Sequence, residues 1–213
     1  MVTLEINANE FVLHPSGAVY WREKQTWLLA DIHLGKVAHF RKNGIAVPRA
    51  AEGSFYQKIA LLLSLFPVKR LLFLGDLFHS TQNNEWYLFE AWAKKQPYRM
   101  VLISGNHDLI PPWKLESLGI EVVSEQQEAG FLFHHFPDQS TKSFLFCGHL
   151  HPGVKLTGAG KQQLKLPCFY HTPTQLILPA FGAFTGLHLL KPKATDKVYV
   201  CTGKEVIEIV ERV

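Results

Sequence analysis

Side chains that bind divalent cations recur along this chain in five short clusters of fixed order. Asp31 and His33 stand in Ala30-Asp31-Ile32-His33, and Asp76 and His79 in Gly75-Asp76-Leu77-Phe78-His79. Asn106, His107 and Asp108 follow in Gly105-Asn106-His107-Asp108, then the pair His134-His135, then His149 and His151 in Gly148-His149-Leu150-His151. Each fragment alone carries little, because a lone histidine is more often structural than a ligand. The ordered set D-x-H, G-D-x-x-H, G-N-H-D, H and G-H-x-H is different, since chance does not readily assemble all of it.

Two transition-metal ions held close together need a bridging carboxylate and a mixed set of nitrogen and oxygen donors. Asp76 is the natural bridge. Asp31, His33 and His151 would complete one metal's protein ligands; Asn106, one of His134 and His135, and His149 would complete the other's. The alternate spacing within Asp31/His33 and His149/His151 lets side chains of one extended segment point the same way. Such a metal pair acidifies a shared water and holds phosphoryl oxygens for in-line attack on phosphorus. A leaving alkoxide then needs a proton, which His107 is placed to give, with Asp108 expected to orient its imidazole.

The elements that must bring these residues together are legible as apolar runs ending at the polar motifs. Thr26 to Ala30 leads into Asp31, Arg70 to Leu74 into Gly75, Met100 to Ser104 into Gly105, Phe131 to Phe133 into His134, and Phe144 to Cys147 into Gly148. Short continuous apolar runs of this kind predict strands buried on both faces. Helices are predicted between them, from Pro48 to Phe66, closed by Pro67, and from Asn84 to Lys95. The spacings suit strand-helix-strand crossovers, which would put every polar loop at the carboxyl ends of neighbouring strands. After His151 the pattern becomes mostly β, with runs at 154–156, 163–170, 175–181, 198–202 and 206–210. The expected fold is α/β, two packed sheets flanked by helices.

Composition sets bounds. The chain has 213 residues, 47% hydrophobic and 19% charged, which predicts one soluble domain spanning 1–213. No apolar run reaches the ~20 residues of a membrane span, and the N-terminus lacks a signal-peptide pattern. Three scattered cysteines without a CxxC pair read as buried thiols of a reducing, cytoplasmic compartment. A formal charge of +4 is compatible with a polyanionic substrate and decides nothing further. Lys36, Arg41, Lys42 and Arg49 follow the first metal motif and could contact phosphate oxygens; the competing reading is a solvated loop.

The ordered motifs resemble those of the calcineurin-like metallophosphoesterases from about Asp31 to His151. The resemblance implies a four-layer α/β/β/α sandwich of two mixed sheets and assigns the ligand and proton-donor roles given above. It gives His79 no regular ligand role, leaving it beside the ligands or facing substrate with Lys36 and Arg41. His135 is preferred over His134, because relatives show His-x-Pro at this motif and adjacent strand residues face opposite ways. A narrower likeness lies in Asp31 to Lys36, Phe40 to Pro48 and Leu178 to Gly186, which resemble the ligase-associated DNA-damage-response endonuclease PdeM subgroup. Leu187 stands where that subgroup usually has glycine. The subgroup implies DNA phosphodiester cleavage in repair, and association with an ATP-dependent DNA ligase, a helicase and a nuclease-like protein. The cofactors expected are two divalent transition metals, manganese first, with iron, zinc, cobalt or nickel compatible. The competing functions are hydrolysis of a small phosphoester or pyrophosphate, such as a nucleotide or a UDP-sugar lipid precursor, and a non-catalytic scaffold of the same fold. The scaffold reading expects missing ligands, and none is missing.

Overall fold

The computed structural model describes residues 1–37, 40, 44, 53–79, 84–158, 160, 162–183 and 185–209. The chain opens as an antiparallel meander: β1 (Val2–Ile6), β2 (Asn9–Leu13), β3 (Val19–Trp21) and β4 (Thr26–Leu29). Asn7 and Ala8 both take positive φ between β1 and β2, the backbone that a two-residue hairpin of matching twist requires. From β4 the direction of growth changes. β5 (Arg70–Leu74), β6 (Arg99–Ile103) and β7 (Ile120–Val123) add in parallel, through α1 (Ser54–Leu65), α2 (Asn84–Ala93) and α3 (Pro112–Glu116). The result is a seven-stranded sheet in chain order.

The second sheet has nine strands: β8 (Glu125–Glu128), β9 (Phe131–His134), β10 (Phe144–Cys147), β11 (Pro152–Thr157), β12 (Gln163–His171), β13 (Gln175–Ile177), β14 (His188–Leu189), β15 (Lys197–Cys201) and β16 (Val206–Ile209). β9, β10 and β13 are mutually parallel at its centre. β12 is long enough to pair with β11 near its start and with β13 and β15 near its end.

Strand alternation distributes the apolar residues into layers. Trp27, Leu29, Leu71 and Phe73 face the helices, where they meet Phe55, Ile59 and Leu62, one stripe of α1. Their neighbours Leu28, Ala30, Leu72 and Leu74 face the second sheet, against Phe131, Phe133, Phe146 and Phe169. That inter-sheet layer is largely aromatic: Phe133 stacks on Phe146 at 5.5 Å, and Phe11 lies 4.6 Å from the same ring.

The α/β fold of two mixed sheets agrees with the sequence reading; the difference lies in the outermost layer. The apolar residues on the far side of the second sheet, including Leu145, Cys168 and Val200, are met by Val154, Leu190 and Ile209. No helix among the described residues lies in that cluster. β13 is also shorter than the run 175–181 predicts. Beyond Ile177 the amides of Leu178 and Phe181 bond to the Cys147 and Ala30 carbonyls, which draws the chain out of the sheet and across the strand ends. For α1, the predicted start at Pro48 lies outside the described residues. The three cysteines are buried free thiols. No helix among the described residues is long and apolar enough to cross a membrane.

Phe146 is fully buried between the sheets. Phe146→Ala should cost about 3–5 kcal/mol of unfolding free energy, read from a urea titration. A midpoint within error of the parent protein's would show that the two sheets do not depend on that layer.

Candidate metal centre

Asp31 lies just past β4, Asp76 just past β5 and Asn106 just past β6; His135 follows β9 and His149 follows β10. Both sheets thus present the carboxyl ends of parallel strands to one edge, where helix-linked strands leave a crevice. The first two loops are fastened to each other. His33 N–H donates to the Asp76 carbonyl at 2.9 Å, Leu34 N–H to Leu77 at 2.9 Å, and His79 N–H to Leu34 at 3.0 Å.

Five of the seven candidate ligands, Asp31, His33, Asp76, His149 and His151, have positive φ, between 48° and 69°. That left-handed backbone is uncommon for residues with a side chain and persists only where the surroundings enforce it. Gly75 shows how tight the surroundings are. Its φ is 84°, and a Cβ built there would fall 2.1 Å from His135 Nδ1.

The histidine pair resolves by alternation. His134 turns outward, its Nδ1 3.0 Å from the Phe136 carbonyl. His135 is buried, and its Nδ1 lies 2.9 Å from the Leu74 carbonyl, which fixes the proton there and leaves Nε2 as an acceptor. That Nε2 stands 3.2 Å from Asn106 Oδ1, 3.2 Å from His149 Nδ1 and 3.5 Å from Asp76 Oδ1. On the other side His33 Nε2 and His151 Nε2 approach to 3.3 Å, with Asp76 Oδ2 3.7 Å from the former and Asp31 Oδ1 3.4 Å from the latter. The two oxygens of Asp76 therefore address two separate groups of donors.

Two groups of described residues bring their donor atoms within 4.8 Å of one another: Asp31, His33 and His151, and Asp31, Asp76 and His135. These residues fit divalent metals on a feature of the chain itself. Asp31 Oδ1 is buried without a hydrogen bond, and paired imidazole nitrogens face each other at both ends of the site. Lone pairs so opposed need a proton or a cation between them. Burial, with the charges of Lys36, His151, His107 and His79, pulls the His33 pKa down to about 2, so this ring is a neutral donor. Burial and His135 lower that of His149 as well. His151 differs: burial pulls its pKa down, but the adjacent Asp31 carboxylate and the Thr185 carbonyl outweigh it and leave it raised.

Asp108 does not do what the sequence suggests. Instead of orienting the His107 ring, its carboxylate accepts from the backbone N–H groups of Asp76 at 2.8 Å, Leu77 at 2.9 Å and Gly105 at 2.8 Å. It ties the second and third motif loops together. Burial lifts its pKa to about 6 against the pull of those amides. His107 is half-buried. Its N–H donates to Asp76 Oδ1 at 2.9 Å, and its ring stands 5.4 Å from that of His33 and stacks at 5.7 Å on His79. His79 in turn lies edge-on to His33 at 5.6 Å. Lys36 is partly buried nearby; burial lowers its pKa although Asp76 and Asp31 draw it the other way. Arg41, with Lys42 and Arg49, lies outside the described residues.

One supporting segment carries no metal-binding residue type and so had no chemical signal in the sequence. Gly182 N–H donates to the Asp31 carbonyl at 3.1 Å, and Thr185 offers its carbonyl to His151 Nδ1 at 3.1 Å. A Cβ on Gly182 would stand 2.1 Å from the Ile32 carbonyl oxygen. The sequence signal for this stretch was its resemblance, from Leu178 to Gly186, to the subgroup motif.

Residues 25–179 match the profile of the calcineurin-like phosphoesterases. The fold superposes on the crystal structure of Pseudomonas putida nuclease MPE with a TM-score of 0.82, over 98% of this chain and 99% of that one, at 27% sequence identity. Looser matches are a protein of unknown function from Aquifex aeolicus (20% identity, 59% of this chain and 78% of that one, TM-score 0.41) and zinc-complexed Vps29 from Entamoeba histolytica (11%, 86% and 96%, 0.38). No match to the sequence is found among curated proteins.

Asp108→Ala strips the acceptor from four backbone amides. It should lower unfolding free energy by about 2–4 kcal/mol and reduce retained metal, whereas His107→Ala should change neither greatly. Denaturant titration beside elemental analysis checks both variants; native stability and metal content in Asp108→Ala would remove the anchoring role.

Proposed function

The chain belongs to the calcineurin-like phosphoesterase family and is a metal-dependent phosphoesterase; from that premise we propose that it is a two-metal phosphodiesterase that cuts DNA, with manganese as the working metal and repair as its setting. The observation that carries the proposal is the division of donors around Asp76. One carboxylate, with one oxygen near His33 and the other near His135, matches what a bridging ligand between two cations must do.

In this reading Asp31, His33 and His151 would hold one metal, Asn106, His135 and His149 would hold the other, and Asp76 would serve both. When bound, such a metal pair supplies an acidified water as nucleophile and neutralises charge on the phosphoryl oxygens. The chain's own contribution is to fix the ligands in advance through strained loops, and to place His107 for proton delivery to the leaving oxygen. His79 packs on the His107 ring and would hold its orientation, the role that Asp108 does not fill. Lys36 would add a cation beside the phosphate.

Two features favour a nucleic acid over a small phosphoester. The likeness to the Pseudomonas putida nuclease extends over almost the whole of both chains. Phe136 is 38% exposed and packs edge-on against His135 and His149, both with ring centroids at 4.7 Å. An aromatic ring at the lip of a phosphoester site offers a surface on which an unstacked base can lie. Association with a DNA ligase, a helicase and a nuclease-like partner belongs to the same proposal and rests on the sequence resemblance.

With manganese supplied, the protein should hydrolyse bis-p-nitrophenyl phosphate faster than the monoester and nick single-stranded DNA. A chelator and Asp76→Ala should each abolish both activities. His107→Ala should keep its metal while turnover falls by about 10² or more. Preference for monoesters or nucleotides with DNA left intact would favour the small-substrate reading, and full activity in His107→Ala would take that residue out of the chemistry.

A further inference from the structure

The outer face of the second sheet carries a groove of about 740 Å³ that no step of the proposed reaction uses. Its apolar side is formed by Val154 and Leu156 of β11, Leu190, Val198 and Ile209. Lys155, Lys191, Lys193 and Lys197 line it as well, all of them exposed. None of these lysines makes an ion pair among the described residues.

Two acids share the lining, and one is already engaged. The Asp196 carboxylate accepts from Tyr170 Oη at 2.5 Å and from Lys193 N–H at 2.9 Å, which folds the loop that presents the lysines. Asp196 and Glu208 together leave the four lysines in excess.

One strand of the groove, β11, leads from the candidate metal centre. β11 starts at Pro152, next to His151, and β14 pairs with its first two residues, Pro152 opposite His188 and Gly153 opposite Leu189. His188 N–H donates to the His151 carbonyl at 3.0 Å. Val154, at the near end, is three residues or roughly 10 Å of strand from His151.

We propose that this groove is a second binding site, a track for a single-stranded stretch of nucleic acid whose scissile phosphate lies at the metal centre. The proposal rests on the phosphodiesterase reading and names the form of its substrate. Lysines that neutralise backbone phosphates, set along an apolar surface for exposed base faces, are the combination that single strands require. A duplex keeps its base faces stacked inside and gains only the charge. An acidic, apolar protein segment would satisfy the same chemistry, but the approach to within a few residues of a phosphoester centre favours the nucleic acid.

The test compares the parent protein with Lys191→Glu/Lys193→Glu, both positions being exposed loop residues. Binding of fluorescent oligothymidylate, short and long, is measured by anisotropy across a salt series, alongside kcat/KM for single-stranded DNA and for bis-p-nitrophenyl phosphate. Affinity for the long oligonucleotide should fall about tenfold or more, and the slope of log K against log salt should shrink by about 1.4, the loss of two single-strand phosphate contacts. The ratio of the two kcat/KM values should fall with it, and the parent's advantage for long over short strands should disappear. If the parent cleaves DNA but the double variant keeps its affinity and salt slope, the track is wrong while the phosphodiesterase reading stands. If an acidic peptide binds the parent and not the variant, with DNA binding untouched, the groove serves a protein. If the parent neither binds nor cuts DNA, both readings fall together.

Discussion

Two carboxylates buried side by side without a lysine or arginine ion pair among the described residues set the terms for this molecule. Asp31 and Asp76 are almost completely shielded from solvent, and burying unpaired charge is among the costliest things a protein can do. Their surroundings consist of backbone N–H groups and imidazole rings: His149 N–H on Asp31, His107 N–H on Asp76, and the rings of His33, His135 and His151. Such groups lessen the cost without cancelling the charge. A pocket of this composition is complete only with cations in it, and the left-handed backbone at five of its ligands and the Asp108 anchor hold its shape.

The centre is also divided between the sheets. The first sheet delivers Asp31, His33, Asp76 and Asn106, and the second delivers His135, His149 and His151. Neither half can hold two metals by itself. The separation of the halves is set by the aromatic layer of Phe11, Trp21, Phe131, Phe133 and Phe146, whose close packing leaves little room for adjustment. Core and chemistry are coupled through thickness: side-chain volume between the sheets decides how far apart the ligands stand.

Much of this was legible in the sequence, and the parts that were not share a cause. Continuous apolar runs such as 70–74 and 100–103 announced buried parallel strands, and the polar motif after each announced a site at their ends. The His-x-Pro pattern of relatives favoured His135, and alternation required that His134 face the other way. Asp108 misled, because a carboxylate next to a histidine suggests a side-chain pair, whereas backbone amides of its own loop and of the second motif loop had reached it first. Amide direction follows from the path of the backbone, which residue types do not encode locally. The same applies to Gly182 and Thr185, which serve through N–H and carbonyl groups that any residue possesses. β1 to β3 and β7 are short and carry no motif, so nothing in their composition marked them as the continuation of the sheet. On the far face of the second sheet, strand residues and a lysine-bearing loop line the described cluster.

The carbonyl of Leu74 closes β5, yet its partner is the ring of His135 from the opposite sheet. That contact makes a side-chain tautomer depend on how two layers of the molecule are aligned. A sideways slip of either sheet would leave the carbonyl unmatched and free the imidazole to turn, exchanging its lone pair for a proton where a ligand is needed. Distant damage to the sandwich would therefore leave the centre intact until alignment is lost, and then disable it at a single atom.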